Sequence, residues 1–187
     1  APAADASVQA KLDAHGLATG RYAVFAPFTT RPQKHWFDER WAELAERLSP
    51  DITPVMLGGP SDTNRADNIM GFPNGRMVNL TGQTKLIETA ALIQNASLLI
   101  GVDTGLTHLG SAFEIPTVAL FGSTLPYSDT TRNNGIVLYE PRDCSPCHRR
   151  PSCGRTFDCM NTHTVASVLR GVKHVMGAKP QTDLCVP

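Results

Sequence analysis

The sequence predicts a doubly wound α/β domain, a parallel sheet with helices packed on both faces. Three observations point to it. Six short apolar runs read as strands, amphipathic helical patterns lie between most of them, and small, hydroxylic or charged residues cluster where the runs end. At 187 residues the chain fits one domain, and a domain of this size buries roughly 70% of its unfolded surface without a staple.

The first sixteen residues, "APAADASVQAKLDAHG", read as a leading helix or the remnant of an interdomain linker, so residues 1–20 are set apart from a ligand-binding domain over 21–187. The strands are expected at "YAVFAP" (22–27), "TPVMLG" (53–58), "RMVNL" (76–80), "SLLIGV" (97–102), "TVALFG" (117–122) and "GIVLYE" (135–140). Between the first two, Phe37, Trp41, Leu44 and Leu48 recur at helical spacing, one apolar face of a helix over "FDERWAELAERL". Trp36, just before it, reads as core. "TKLIETAALIQNA" (84–96) predicts a second helix with Thr84 as N-cap. Val165, Val168, Leu169, Val172, Val175 and Met176 form the stripe of a last helix over 164–177.

Seventeen basic residues balance seventeen acidic ones, so no global field draws the chain to nucleic acid, and an anionic ligand must be held by a local site. No apolar run approaches the roughly 20 residues that span a bilayer, and the first residues lack the parts of a signal peptide. The five cysteines are an odd number, and four of them fall between Cys144 and Cys159. That is unlike the dispersed framework of a small secreted domain and favours a reducing cytoplasm.

In such a fold, ligands bind outside the carboxyl ends of the strands, and five loops gather chemistry there. "FAPFTTRPQKHW" (25–36) offers Thr29, Thr30, Arg31 and Lys34, two hydroxyls and two cations ahead of a helix N-terminus, a suitable cradle for phosphate. A solvated polar loop would have the same composition. "LGGPSDTNRA" (57–66) is a strand-to-helix turn with Ser61 or Asp62 as N-cap, unless Asp62 meets ribose hydroxyls; it lacks the G-x-G-x-x-G spacing. "LTGQTKL" (80–86) places Gln83 and Thr84 where they could border a base.

"GVDTGLTHLGSAF" (101–113) starts a helix with Gly105, Leu106 and Thr107, whose N–H groups suit a diphosphate, while Asp103 and His108 can bond sugar hydroxyls or a leaving phosphate. Asp103 could equally be a cap, and His108 a structural histidine. Like charges repel, so Asp103 is read as a partner of hydroxyls rather than of phosphate. "FGSTLPYSD" (121–129) adds the hydroxyls of Ser123 and Thr124. No Ser-His-Asp order, Walker sequence or H-E-x-x-H is present.

"TTRPQKHW", "GGP", "TGQTKL", "VDTGLTHLGSAF" and "PTVALFGSTLP", in this order, resemble the C-terminal half of glycosyltransferase family 9, the ADP-heptose:lipopolysaccharide heptosyltransferases. The resemblance covers nearly the whole chain. It implies a GT-B enzyme of two Rossmann-like domains, with this chain as the second, and transfer of heptose from ADP-heptose to the lipopolysaccharide inner core with inversion. Carried over, Thr29, Thr30 and Lys34 would meet the diphosphate or the sugar phosphate, Thr104, Gly105, Leu106, Thr107 and His108 would line the diphosphate, Asp103 would hold heptose hydroxyls, and adenosine would lie near Gln83 and Thr84 with the ribose by "GGPSD". Lys34 and His108 would stabilise the leaving group, Lys34, Arg31 and helix dipoles would stand in for a divalent metal, and no cofactor is expected for catalysis.

The family's catalytic aspartate and its acceptor site belong to the N-terminal domain, so donor binding without efficient transfer is expected of this chain. A cytoplasmic enzyme, in peripheral contact with the inner face of the membrane, is implied. Ser123 stands where many members have proline, which leaves the sugar open. The alternatives are a nucleotide or nucleotide-sugar binding module and an epimerase-like GT-B domain, and no paired carboxylates suit the latter.

"CSPCHRRPSCGRTFDC" spaces Cys144, Cys147, Cys153 and Cys159 as C-x2-C-x5-C-x5-C beside His148. Four thiolates could close a structural zinc site, though only the leading C-x-x-C has knuckle spacing. Similar cysteine-rich tails occur in part of the resembling family, and zinc, disulfides and free thiols all stay open. Arg149, Arg150 and Arg155 read as a solvated loop or a contact for an anionic surface.

Overall fold

The computed structural model describes residues 2–127, 134–147 and 150–177. Six parallel strands, β1 (Tyr22–Ala26), β2 (Thr53–Met56), β3 (Val78–Asn79), β4 (Leu98–Val102), β5 (Thr117–Phe121) and β6 (Gly135–Tyr139), form one sheet in the order β3-β2-β1-β4-β5-β6. All six lie within the runs expected from the sequence. The order reverses between β1 and β4, where Ala26 lies opposite Gly101, so the two strands end side by side and their following loops part to opposite faces of the sheet. That parting opens a crevice at the strands' carboxyl ends.

Alternation along each strand sorts the core into two layers. Ala23, Phe25, Met56, Leu98, Ile100, Val118 and Leu120 face α2 (Asp38–Leu48), α3 (Thr63–Met70) and α7 (Val165–Gly177). Tyr22, Val24, Val55 and Leu99 face α1 (Pro2–Ala14) and α4 (Leu86–Gln94), while α5 (Gly105–Ala112) covers the same side through Leu106 and Leu109. Val8 and Leu12 of α1 are buried beside Leu92 and Ile93 of α4. The hydroxyl of Ser7 donates to the Glu88 carboxylate, and Tyr22 donates to the Leu92 carbonyl at 2.6 Å.

Helix α2 buries Trp41, Leu44 and Leu48 as the spacing predicts. Trp36 is core, 1% exposed, packed edge-on against Trp41 with its indole N–H donated to the His163 carbonyl at 2.8 Å. Helix α4 starts later than expected. Its N-cap is Lys85, whose N–H is taken by the Glu88 carboxylate at 2.7 Å, whereas the hydroxyl of Thr84 pairs with that of Thr89. A carboxylate three residues into the helix captured the end that the threonine was expected to cap. In α7, Val165, Val168, Val172 and Val175 are buried, but Met176 is 49% exposed at the rim of a groove. Residues 178–187, with Cys185, lie outside the described residues.

Candidate functional site

The crevice at the β1/β4 ends holds a cavity of about 580 Å³ lined by Phe28, Thr29, Thr30 and Lys34 from the β1 side, Ser61 and Asp62 from the β2 side, and Asp103, Thr104, Gly105 and His108 from the β4 side. A second hollow of about 350 Å³ shares Phe28, Asp62 and Thr104 with it and is walled by Leu57, Pro60, Thr84, Leu86 and Leu106. The pair forms one trough, polar at one end and apolar at the other. A larger cleft of about 830 Å³ lies between α2 and α3, lined by Phe37, Phe72, Phe157 and others, but it lacks the convergent strand-end loops.

Asp103 is the centre of the polar end. Its Oδ2 receives Lys34 Nζ at 2.5 Å and the Thr124 hydroxyl at 2.6 Å, and its Oδ1 lies 3.4 Å from His108 Nε2. Burial pushes the carboxyl pKa up, but the bonds from Lys34 and Thr124 and the charges of Lys34 and His108 outweigh it and hold Asp103 below its ordinary range. The cap reading of Asp103 fails: the residue at the N-cap of α5 is Thr104, in extended conformation, and the Asp103 carboxylate is turned to the cation instead.

Helix α5 then begins at Gly105, so the N–H groups of Gly105 and Leu106 have no acceptor within the helix. Thr107 serves otherwise. Its hydroxyl is buried and donates to the Val102 carbonyl at 2.6 Å, and its N–H bonds to Thr104, which binds the first turn to the strand end. The close approach requires Gly101, where a Cβ would stand 2.1 Å from the Thr107 hydroxyl oxygen and 3.0 Å from the Ala26 Cβ.

Asp62 accepts the Gly59 N–H at 2.8 Å and thus braces its own turn while lining both parts of the trough. Thr84 lines the apolar part. Gln83 is exposed with its amide donated to the Asn79 carbonyl, Arg31 caps the short turn Pro32–Lys34, and neither lines the trough. Ser123 is 1% exposed, and its hydroxyl has no hydrogen-bond partner. The ring of Tyr127 stands 6.0 Å from that of His108. Phe28 was not singled out from the sequence although it lines both parts of the trough; a phenylalanine one residue beyond a strand's proline looks like ordinary core, and it is indeed buried, with Gly58 pressed against its ring.

The four thiols of Cys144, Cys147, Cys153 and Cys159 are unpaired, and among the described residues no three His, Cys, Asp or Glu side chains are placed to hold a metal ion. His148 and Arg149 lie outside the described residues, as do Ser128 and Asp129. Cys147 donates its thiol to the Ser123 carbonyl at 3.9 Å, and burial pushes the thiols of Cys147 and Cys159 up, toward the protonated form. As placed, these thiols do not close the tetrathiolate site that their spacing allows. No helix among the described residues is long and apolar enough to cross a membrane.

Residues 2–156 match the family model of glycosyltransferase family 9 (heptosyltransferase). Over 133 residues the chain is 32% identical to lipopolysaccharide heptosyltransferase 1 of Pseudomonas aeruginosa, covering 69% of this chain and 37% of that protein. It is 36% identical over 110 residues to the Escherichia coli K12 protein of the same name, covering 57% and 34%. Among solved structures, a family 9 glycosyl transferase from Veillonella parvula superposes with a TM-score of 0.79 at 24% identity, covering 92% of this chain and 51% of that one. An E. coli heptosyltransferase solved with ADP-2-deoxy-2-fluoro heptose gives 0.64 at 28% identity, covering 83% and 44%. The chain thus spans little more than a third of the curated relatives it matches and about half of the solved ones.

Proposed function

Because this chain belongs to glycosyltransferase family 9, we propose that it is the donor-binding half of an inverting heptosyltransferase, which takes heptose from ADP-heptose for transfer to a lipopolysaccharide core. The observation that carries this reading is the Asp103–Lys34 pair in the polar end of the trough, beside the free N–H groups of α5 and next to an apolar hollow. The diphosphate lies against Lys34, Thr29, Thr30 and the N–H groups of Gly105 and Leu106, where a cation and a helix terminus neutralise it. Asp103 and His108 face the sugar hydroxyls. The adenine enters the hollow between Leu57, Leu86 and Leu106.

In the transfer step the acceptor hydroxyl attacks the anomeric carbon, the bond to the β-phosphate oxygen breaks, and ADP departs carrying the electron pair. Lys34 and the α5 terminus stabilise the charge gathering on that phosphate. A base must take the acceptor proton. Neither carboxylate in the trough is free for this, since Asp103 is held by Lys34 and Thr124 and Asp62 by the Gly59 N–H. The base and the acceptor site are therefore assigned to the remainder of the enzyme, and this chain alone binds donor without efficient transfer. Calorimetric titration with ADP, UDP and GDP tests the reading: ADP should bind tightest, and equal affinities would contradict it.

A further inference from the structure

The end of β5 and the loop that follows it are gripped by the cysteine-rich segment and by His163 just beyond it. The Phe121 carbonyl accepts from His163 Nε2 at 2.7 Å, the Gly122 carbonyl from the Ser145 hydroxyl, and the Ser123 carbonyl from the Cys147 thiol at 3.9 Å. All three carbonyl-bearing residues are buried, where an unpaired carbonyl would be costly, so these donors define where the loop can lie. The next residue is Thr124, whose hydroxyl reaches the same Asp103 oxygen as Lys34 does. The chain just beyond that segment is itself tied to α2 and to Trp36. Arg40 of α2 bonds the Asn161 and His163 carbonyls at 2.7 and 2.8 Å, and Trp36 bonds the latter as well.

We propose that Ser145 and His163 are positioning residues of the donor site: by fixing the loop after β5 they place the Thr124 hydroxyl on Asp103 and so set how strongly that carboxylate holds Lys34. The inference rests on the donor-site reading for its purpose, but not for its geometry. With Thr124 in place, Asp103 shares its negative charge between two donors on one oxygen, and Lys34 keeps two of its three N–H donors for a phosphate. If the loop slips, Lys34 is left as the single close donor on that oxygen. The cysteine-rich segment is on this account a brace.

The test is a cycle of three variants, Thr124→Val, Ser145→Ala and the double variant, followed by the NMR titration of the Asp103 carboxyl carbon, which needs no nucleotide and so stands or falls apart from ADP binding. Thr124→Val should raise the Asp103 pKa, Ser145→Ala should raise it in the same direction by less, and Ser145→Ala should add nothing once Thr124 is valine. Ser145→Thr, which keeps the hydroxyl, should restore the wild-type titration, and His163→Gln, which keeps a donor toward Phe121, should move it less than His163→Ala. In the ADP titration, Ser145→Ala should weaken binding about threefold to fivefold, the loss expected for one neutral hydrogen bond felt indirectly. An Asp103 titration that Ser145→Ala leaves unchanged while Thr124→Val shifts it, or strictly additive shifts in the double variant, would overturn the proposal.

Discussion

Lys34 and Asp103 sit 2.5 Å apart at the bottom of the trough, and opposite consequences follow from removing each. On the donor site proposed above, Lys34→Ala takes away a charge-assisted donor and leaves an uncompensated carboxylate beside the phosphate, so ADP binding should weaken by about 1.5–3 kcal/mol in calorimetry; an unchanged dissociation constant would remove Lys34 from the site. Asp103→Asn removes a negative charge from the place proposed for the phosphate. It should leave ADP affinity equal or higher while weakening binding of the sugar nucleotide, because only the latter brings hydroxyls to that carboxylate. Cys153 differs from the other thiols in kind. Backbone hydrogen bonds, from Phe157 above all, lower its pKa against the opposing push of burial, whereas burial raises those of Cys147 and Cys159. Alkylation with iodoacetamide near neutral pH, followed by peptide mass spectrometry, should therefore label Cys153 well before Cys147 or Cys159. Labelling of Cys159 first would contradict the burial described for it.

At the scale of elements, the helix starts carry the site, and they explain where reading from sequence stopped. The strands and the apolar faces of α2 and α7 were legible because burial imposes periods of two and 3.6 on the residues themselves. The start of α4 was not, since the choice between Thr84 and Lys85 rests on a carboxylate, Glu88, that also binds Ser7 of a distant helix. Asp103 likewise looked able to cap α5, and only the approach of Lys34 from another loop turns it away. The α6–α7 connection (α6, Asp158–Asn161) carries a titration of its own through His163. Burial lowers the pKa of this imidazole below 6.5, against the raising effect of its bond to Phe121. The unfolded chain thus holds more protons than the folded one between 6.5 and the lower folded value. This contribution to stability is full above that window and is lost as the pH falls through it. Urea midpoints measured from pH 8 down to 5 should fall less steeply for His163→Gln than for the wild type, with part of the slope left by His35, whose pKa burial also lowers. Identical slopes would contradict the buried neutral histidine.

For the molecule as a whole, the strand order with its reversal between β1 and β4 is the feature that brings residues from positions 28 to 124 to one place. Sequence spacing could nominate strand-end loops, because small and charged residues interrupt apolar runs there. It could not rank them. Gln83 and Arg31 had the right chemistry in the right loops but do not line the trough, and Thr107 is used up in holding helix to strand, while Phe28 had no chemical mark at all. The family places the chain among enzymes about twice its length in the solved examples, which accords with a trough whose carboxylates are already engaged. The most direct measurement is a nitrogen-15 NMR map of the chain titrated with ADP. The account predicts the largest shifts at the amides of Thr29, Thr30, Asp103, Gly105, Leu106 and His108. Shifts gathered instead around Phe37, Asn68 and Phe72, in the larger cleft between α2 and α3, would contradict it.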